Sequence, residues 1–198
     1  MSDRETLDVY DKRAAEYAQN YGGGGPGRHL LAFMDQVEPG ARVLDLGCGP
    51  GASAAHLARA GFRVDAWDAS AAMADHASVH EGVIARHAGF DDLTARGFYG
   101  GIWANFSLLH APRADMDRHL TAIARALTPR GVFHIGLKTG EGAQRDGIGR
   151  FYTYYREEDL VARLTRAGFS ILDRSEGAEK GMAGTIDPWV VILAQRNG

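Results

Sequence analysis

The stretch that decides the fold runs from Val43 to Gly51: Val-Leu-Asp-Leu-Gly-Cys-Gly-Pro-Gly. It belongs to an apolar run, residues 41–47, short enough for a buried strand. The glycines that follow suit a sharp turn and let a ligand come close to the backbone. Residues 52–61 (ASAAHLARAG) then read as a helix ended by its own glycine. Strand, turn and helix in that order put the turn at the carboxyl end of a strand, where open α/β sheets bind ligands. The helix points its free N–H groups at the same place. Residues 62–68 (FRVDAWD) alternate as a second strand and end on Asp68. An acid about 20 residues past the turn can accept from both hydroxyls of a ribose. Together these features imply a ligand that contains a nucleoside.

Working outward, strand and helix keep alternating. Ser70 reads as the N-cap of a helix over 71–80. Strands are expected at 83–87, 100–109 and 131–138, with a helix over 115–127 stopped by Pro129. A glycine-rich polar loop follows (139–149), then a helix near 156–167 and strands near 169–174 and 188–195. No helical pattern separates those last two, so they read as a hairpin. Before the deciding stretch lie two helices, 4–20 and 27–37, joined by a segment with four consecutive glycines. The expectation is an α/β fold: a doubly wound, mostly parallel seven-stranded sheet, order 3-2-1-4-5-7-6, with one antiparallel strand and an N-terminal helical cap. One domain covers 1–198. Residues 1–38 form a cap or lid with a glycine hinge at 22–25, and 39–198 form a Rossmann-like core.

Composition narrows the function. Hydrophobic residues are 45% and charged residues 24% of the 198, ordinary for a globular chain. Glycine is in excess at 26 residues, which asks for turns and close backbone approach. One cysteine makes no internal disulfide and suits a reducing compartment. Neither CxxC nor HExxH occurs, so no metal is expected. The paired His76 and His80 have no evident third ligand. No stretch is apolar enough to span a membrane, and the charged N-terminus is no secretory signal, so a cytoplasmic location is expected. A net charge of −3 without a basic stripe argues against nucleic acid. A small molecule remains as the expected partner, with oligomeric state open.

The spacing Gly47-x-Gly49-x-x-Ala52 also satisfies the dinucleotide fingerprint. Asp45 argues against that ligand. Its carboxylate beside the turn repels a pyrophosphate and holds a cation. No Tyr-x-x-x-Lys pair, P-loop or nucleophile elbow occurs either. A nicotinamide oxidoreductase therefore stays as an alternative, beside a protein that binds the cofactor without catalysis.

Val43–Gly51 resembles the first motif of the class I S-adenosylmethionine-dependent methyltransferases. Asp68 resembles their second-strand acid, and residues 127–131 (LTPRG) resemble their turn before strand five. Residues 102–112 and 138–140 look most like small bacterial methyltransferases of the tellurite-resistance type. The resemblance implies S-adenosyl-L-methionine as cofactor and methyl transfer to a small acceptor of unread identity. Asp45, Gly47, Cys48, Gly49 and Gly51 would line its methionine and ribose, and Asp68 would hold the ribose hydroxyls. Ala69 and Met73 would flank the adenine. Gly89, Phe90 and Asp91 would sit at its edge, with either Phe90 or Asp91 meeting it. In the expected order, strands one and four are neighbours, which brings Asn105 to the methionine end and Phe106 to the acceptor pocket. His110 is the candidate base, or else packs the end of strand four. Lys138, Arg150 and Tyr152 bound the acceptor side, where a guanidinium suits an oxyanion. Tyr10 and Tyr17 could fold over the cofactor from the N-terminal helix.

Overall fold

The computed structural model describes residues 3–21, 24–181 and 184–198. Its main sheet is built from β1 (Arg42–Leu46), β2 (Arg63–Asp68), β3 (Val83–His87), β4 (Tyr99–Asn105), β5 (Leu127–Lys138), β8 (Phe169–Lys180) and β9 (Ile186–Arg196). β6 (Ala143–Arg145) and β7 (Phe151–Thr153) form a separate small hairpin. The main sheet has the order β3-β2-β1-β4-β5-β9-β8, and β9 alone runs antiparallel to its neighbours. Counting only main-sheet strands, that is the expected 3-2-1-4-5-7-6.

The helices are α1 (Arg4–Tyr21), α2 (Arg28–Gln36), α3 (Ala52–Arg59), α4 (Ala71–Ser78), α5 (Met116–Ala126) and α6 (Glu157–Arg166). They cover both faces of the sheet. Leu30, Phe33, Leu57 and Ala77 of α2, α3 and α4 pack with Val43, Val64 and Trp103. Leu120 and Ile123 of α5 and Leu160 and Leu164 of α6 pack with Leu44, Ile102 and Phe133. Central parallel strands buried on both faces read as unbroken apolar runs, which is how β1 announced itself. α1 joins neither core; it lies over the carboxyl end of the sheet beside α4.

Four elements depart from expectation, the simplest being β8, which runs on to Lys180 rather than ending near 174. The fourth strand stops at Asn105 rather than 109, because Phe106 turns out at φ 54° into a short 3-10 turn, Leu108–His110. The fifth begins at Leu127, straight through Pro129, with a register irregularity opposite Tyr99 and Gly101. The glycine-rich loop contains the β6–β7 hairpin. Of the expected hinge, Gly22 and Gly23 lie outside the described residues. No helix among the described residues is long and apolar enough to cross a membrane.

Candidate active site

A cavity of about 500 Å³ opens at the carboxyl ends of β1, β2 and β4, beneath α1. The glycine turn is tied to β2 along its inner edge. The Gly47 and Cys48 amides donate to the Trp67 carbonyl at 2.8 and 2.9 Å. The Gly49 amide donates to Asp68 Oδ2 at 2.8 Å, and the Ser70 amide to Oδ1 at 2.9 Å. Each Asp68 oxygen thus takes one backbone N–H and keeps a lone pair for an outside donor. Burial raises its carboxyl, and the two amides pull the other way.

Asp45 is buried behind the turn, and its Oδ2 has no partner. Burial first, then the charge of Asp68, pushes it up to about 8 against the pull of the Ala54 amide. A buried carboxyl costs too much to ionise alone, and a cationic ligand beside it supplies the missing charge. The Cys48 thiol donates to the Gly49 carbonyl, and burial raises it, so it stays a thiol. His80 Nε2 lies 3.0 Å from the Pro50 carbonyl and braces the turn. No group of metal-ligating side chains occurs among the described residues.

The other half of the cavity lies over β4, β5 and β9. His110 Nδ1 is 2.7 Å from the Phe151 carbonyl, so that nitrogen carries the proton. Nε2 then accepts from the Tyr10 hydroxyl at 2.7 Å. Burial dominates and pushes His110 down to about 4, leaving a neutral ring. Lys138 Nζ is 2.6 Å from Asp187 Oδ2 and 4.0 Å above the Tyr152 ring. Arg150 is buried; its Nε and Nη2 donate to Asp146 Oδ2 at 2.9 and 2.7 Å, and Nη1 donates to the Tyr17 hydroxyl. Both cations are therefore neutralised within the protein. The same hairpin holds α1: Phe151 donates its amide to Thr6 Oγ1 at 2.8 Å, and Arg145 donates to Asp3 at 2.8 Å. On the opposite side, Asp11 accepts from the Ser70 hydroxyl at 2.5 Å.

Residues 43–131 match a methyltransferase-domain family. The cypemycin N-terminal methyltransferase of a Streptomyces species is 34% identical over 177 residues, covering 83% of this chain and 72% of that protein. The chain belongs to the class I S-adenosylmethionine-dependent methyltransferases. Solved structures share the fold. The 1,6-didemethyltoxoflavin-N1-methyltransferase of Burkholderia thailandensis has a TM-score of 0.76 at 22% identity, covering 100% of this chain and 92% of its own. A methyltransferase from Methanosarcina mazei has a TM-score of 0.72 at 16% identity, covering 88% and 99%. These relatives do not carry the narrower resemblance to tellurite-resistance proteins.

Most residues singled out from the sequence of this methyltransferase line the one cavity: Asp45, Gly47, Cys48, Gly49, Asp68, Ala69 and Met73 on one side, with Gly89 and Phe90. Tyr17, Asn105, Phe106, His110, Lys138, Arg150 and Tyr152 line the rest. Two do not. Gly51 faces α4, where a Cβ would lie 2.8 Å from the Ala77 backbone, so it serves helix packing. Asp91 is turned away and paired with Arg118, so Phe90 is the residue at the cavity. Trp103, Asp187 and Trp189 line it without having been expected. The Asp-Pro-Trp at 187–189 was visible in the sequence, but its place beside β5 comes only from the antiparallel return of β9.

Proposed function

We propose that this methyltransferase acts on a small molecule whose accepting atom is nucleophilic without a protein base, a neutral nitrogen above all. One observation carries the reading: the side chains facing the acceptor half are already engaged. His110 is neutral and its lone pair is taken by Tyr10. Lys138 is held by Asp187, and Arg150 by Asp146. His110 would act as a base only once the Tyr10 hydroxyl withdrew. The named relative, an N-terminal methyltransferase, also points to nitrogen.

Bound in the other half, S-adenosyl-L-methionine supplies an electrophilic methyl group on sulfur. Asp68 would accept from the ribose hydroxyls with its two remaining lone pairs. Asp45, without a partner at Oδ2, would face the cationic end. Ala69, Met73, Gly89 and Phe90 would hold the adenine between β2, α4 and β3, and Asn105 would reach the methionine. Phe106 and Tyr152 would wall the acceptor, and the Lys138–Asp187 pair would orient it. Arg150 would hold Tyr17 over the cavity instead of binding an anion. α1 is then a lid, and its removal of water leaves alignment as the main source of rate. The family assignment does not favour the nicotinamide or sensor alternatives.

The test is calorimetric titration with S-adenosylmethionine and S-adenosylhomocysteine, then incubation with small amines, nitrogen heterocycles, thiols and phenols. Micromolar binding of both ligands, with S-adenosylhomocysteine formed on nitrogen acceptors, is the expected result. Turnover confined to phenols or alcohols, which need a base, overturns the reading.

A further inference from the structure

Strand β5 carries a histidine that the roles above do not use. His134 is buried, 1% exposed, in the middle of the sheet. Trp103 of β4 pairs with His134 of β5, and Asn105 with Gly136, with the Ala104–Ile135 pair between them, so the four residues share one face of the sheet. The Trp103 and His134 rings stack with centroids 3.5 Å apart and planes 17° from parallel. His134 Nε2 lies 3.0 Å from Asn105 Oδ1. An amide oxygen opposite Nε2 requires the single proton of a neutral imidazole to sit there. Burial, then the neighbouring His29, holds His134 well below the usual imidazole range, so it is neutral. Gly136 completes the grip, since a Cβ at that position would come within 2.8 Å of Asn105 Oδ1. The other end of the amide, Nδ2, has no acceptor among the described residues, and Asn105 lines the cavity.

We infer that His134 is a positioning residue: it fixes the Asn105 amide so that the N–H₂ end faces the methionine carboxylate of the cofactor. This rests on the reading of Asn105 as a cofactor contact. An amide free to rotate presents its oxygen as readily as its nitrogen, and oxygen repels a carboxylate. A bond from His134 removes that ambiguity before the ligand arrives, which is the physical meaning of preorganisation.

The test uses the full chain and S-adenosylhomocysteine in calorimetry. N105A is expected to weaken binding about tenfold, the loss typical of a hydrogen bond to a charged group. H134F keeps the stack on Trp103 but removes the donor, and should lose about as much. The double variant N105A/H134F should bind no worse than N105A. H134Q, which restores an N–H, should recover most of the affinity. G136A, which pushes on the same oxygen from below, should weaken binding like H134F. Long-range proton–nitrogen correlation spectra of the wild type should show His134 as the Nε2–H tautomer.

The outcomes separate the claims. If the wild type does not bind, the cofactor reading itself fails. If N105A binds normally, Asn105 is not a contact and the inference falls with it. If N105A is weak but H134F is folded and indistinguishable from wild type, or H134Q is folded and as weak as H134F, His134 has no positioning role. Additive losses in the double variant would make His134 merely structural. An Nδ1–H tautomer overturns the inference even if every His134 variant fails to fold.

Discussion

Two carboxyls within the same cavity answer to different physics. Asp68 is met by two backbone amides, and its substitution removes whatever it holds outside the protein. Asp68→Ala should weaken cofactor binding by about 1–3 kcal/mol, read by titration. Unchanged affinity removes it from the ribose site. Asp45 is a stability matter as well. Its folded value of about 8 lies above its ordinary 3.8, so between those values the folded state keeps a proton that the unfolded state has lost. Stability from Asp45 is complete below about pH 4 and drains away as pH rises toward 8. Asp45→Asn should therefore flatten the fall of melting temperature across that window and melt higher than wild type at pH 8, while binding S-adenosylmethionine more weakly. A variant whose melting curve tracks wild type across pH 4–8 would mean that Asp45 is already satisfied in the folded protein.

Elements were legible in the sequence to the extent that they carry a periodic pattern. β1, α3, β2, α4 and β3 fall within a residue or two of expectation because apolar runs, a capping serine and a terminal glycine mark them. The β6–β7 hairpin was invisible. Its strands are three residues each, too short to show alternation, and β6 is wholly exposed. The end of β4 was overrun because nothing in Asn-Phe-Ser announces a positive φ at Phe106. The same blind spot hid the pairing that closes the acceptor side, with Trp103, Asp187 and Trp189. Lys138 and Asp187 are 49 residues apart in sequence and 2.6 Å apart in space. The hairpin's purpose shows in its contacts: through Arg150 it joins Asp146 to Tyr17. Both ionic side chains are at most 10% exposed, and loss of one partner from such a pair costs about 3–5 kcal/mol. Arg150→Met should lower the melting temperature by several degrees and make α1 accessible to protease. A variant as stable as wild type, with α1 equally protected, would show that the hairpin does not hold the helix.

At the scale of the whole molecule, the sheet and α1 are separable in their packing. Neither apolar core contains a residue of α1. Removing residues 1–20 should leave a folded sheet by circular dichroism and greatly weaken cofactor binding. Loss of the entire fold would make α1 part of the core. The polar ties of α1 run to two different walls of the cavity, Arg145, Phe151 and Arg150 on one and Ser70 on the other. Such a double clasp has a kinetic signature. On the proposed reading of α1 as a lid, spent cofactor would leave only when both sets of bonds had let go, whereas the methyl group would move while they were closed. Mixing enzyme and acceptor rapidly should then give one fast round of product followed by a slower steady rate, and loosening either wall should speed the second phase while sparing the first.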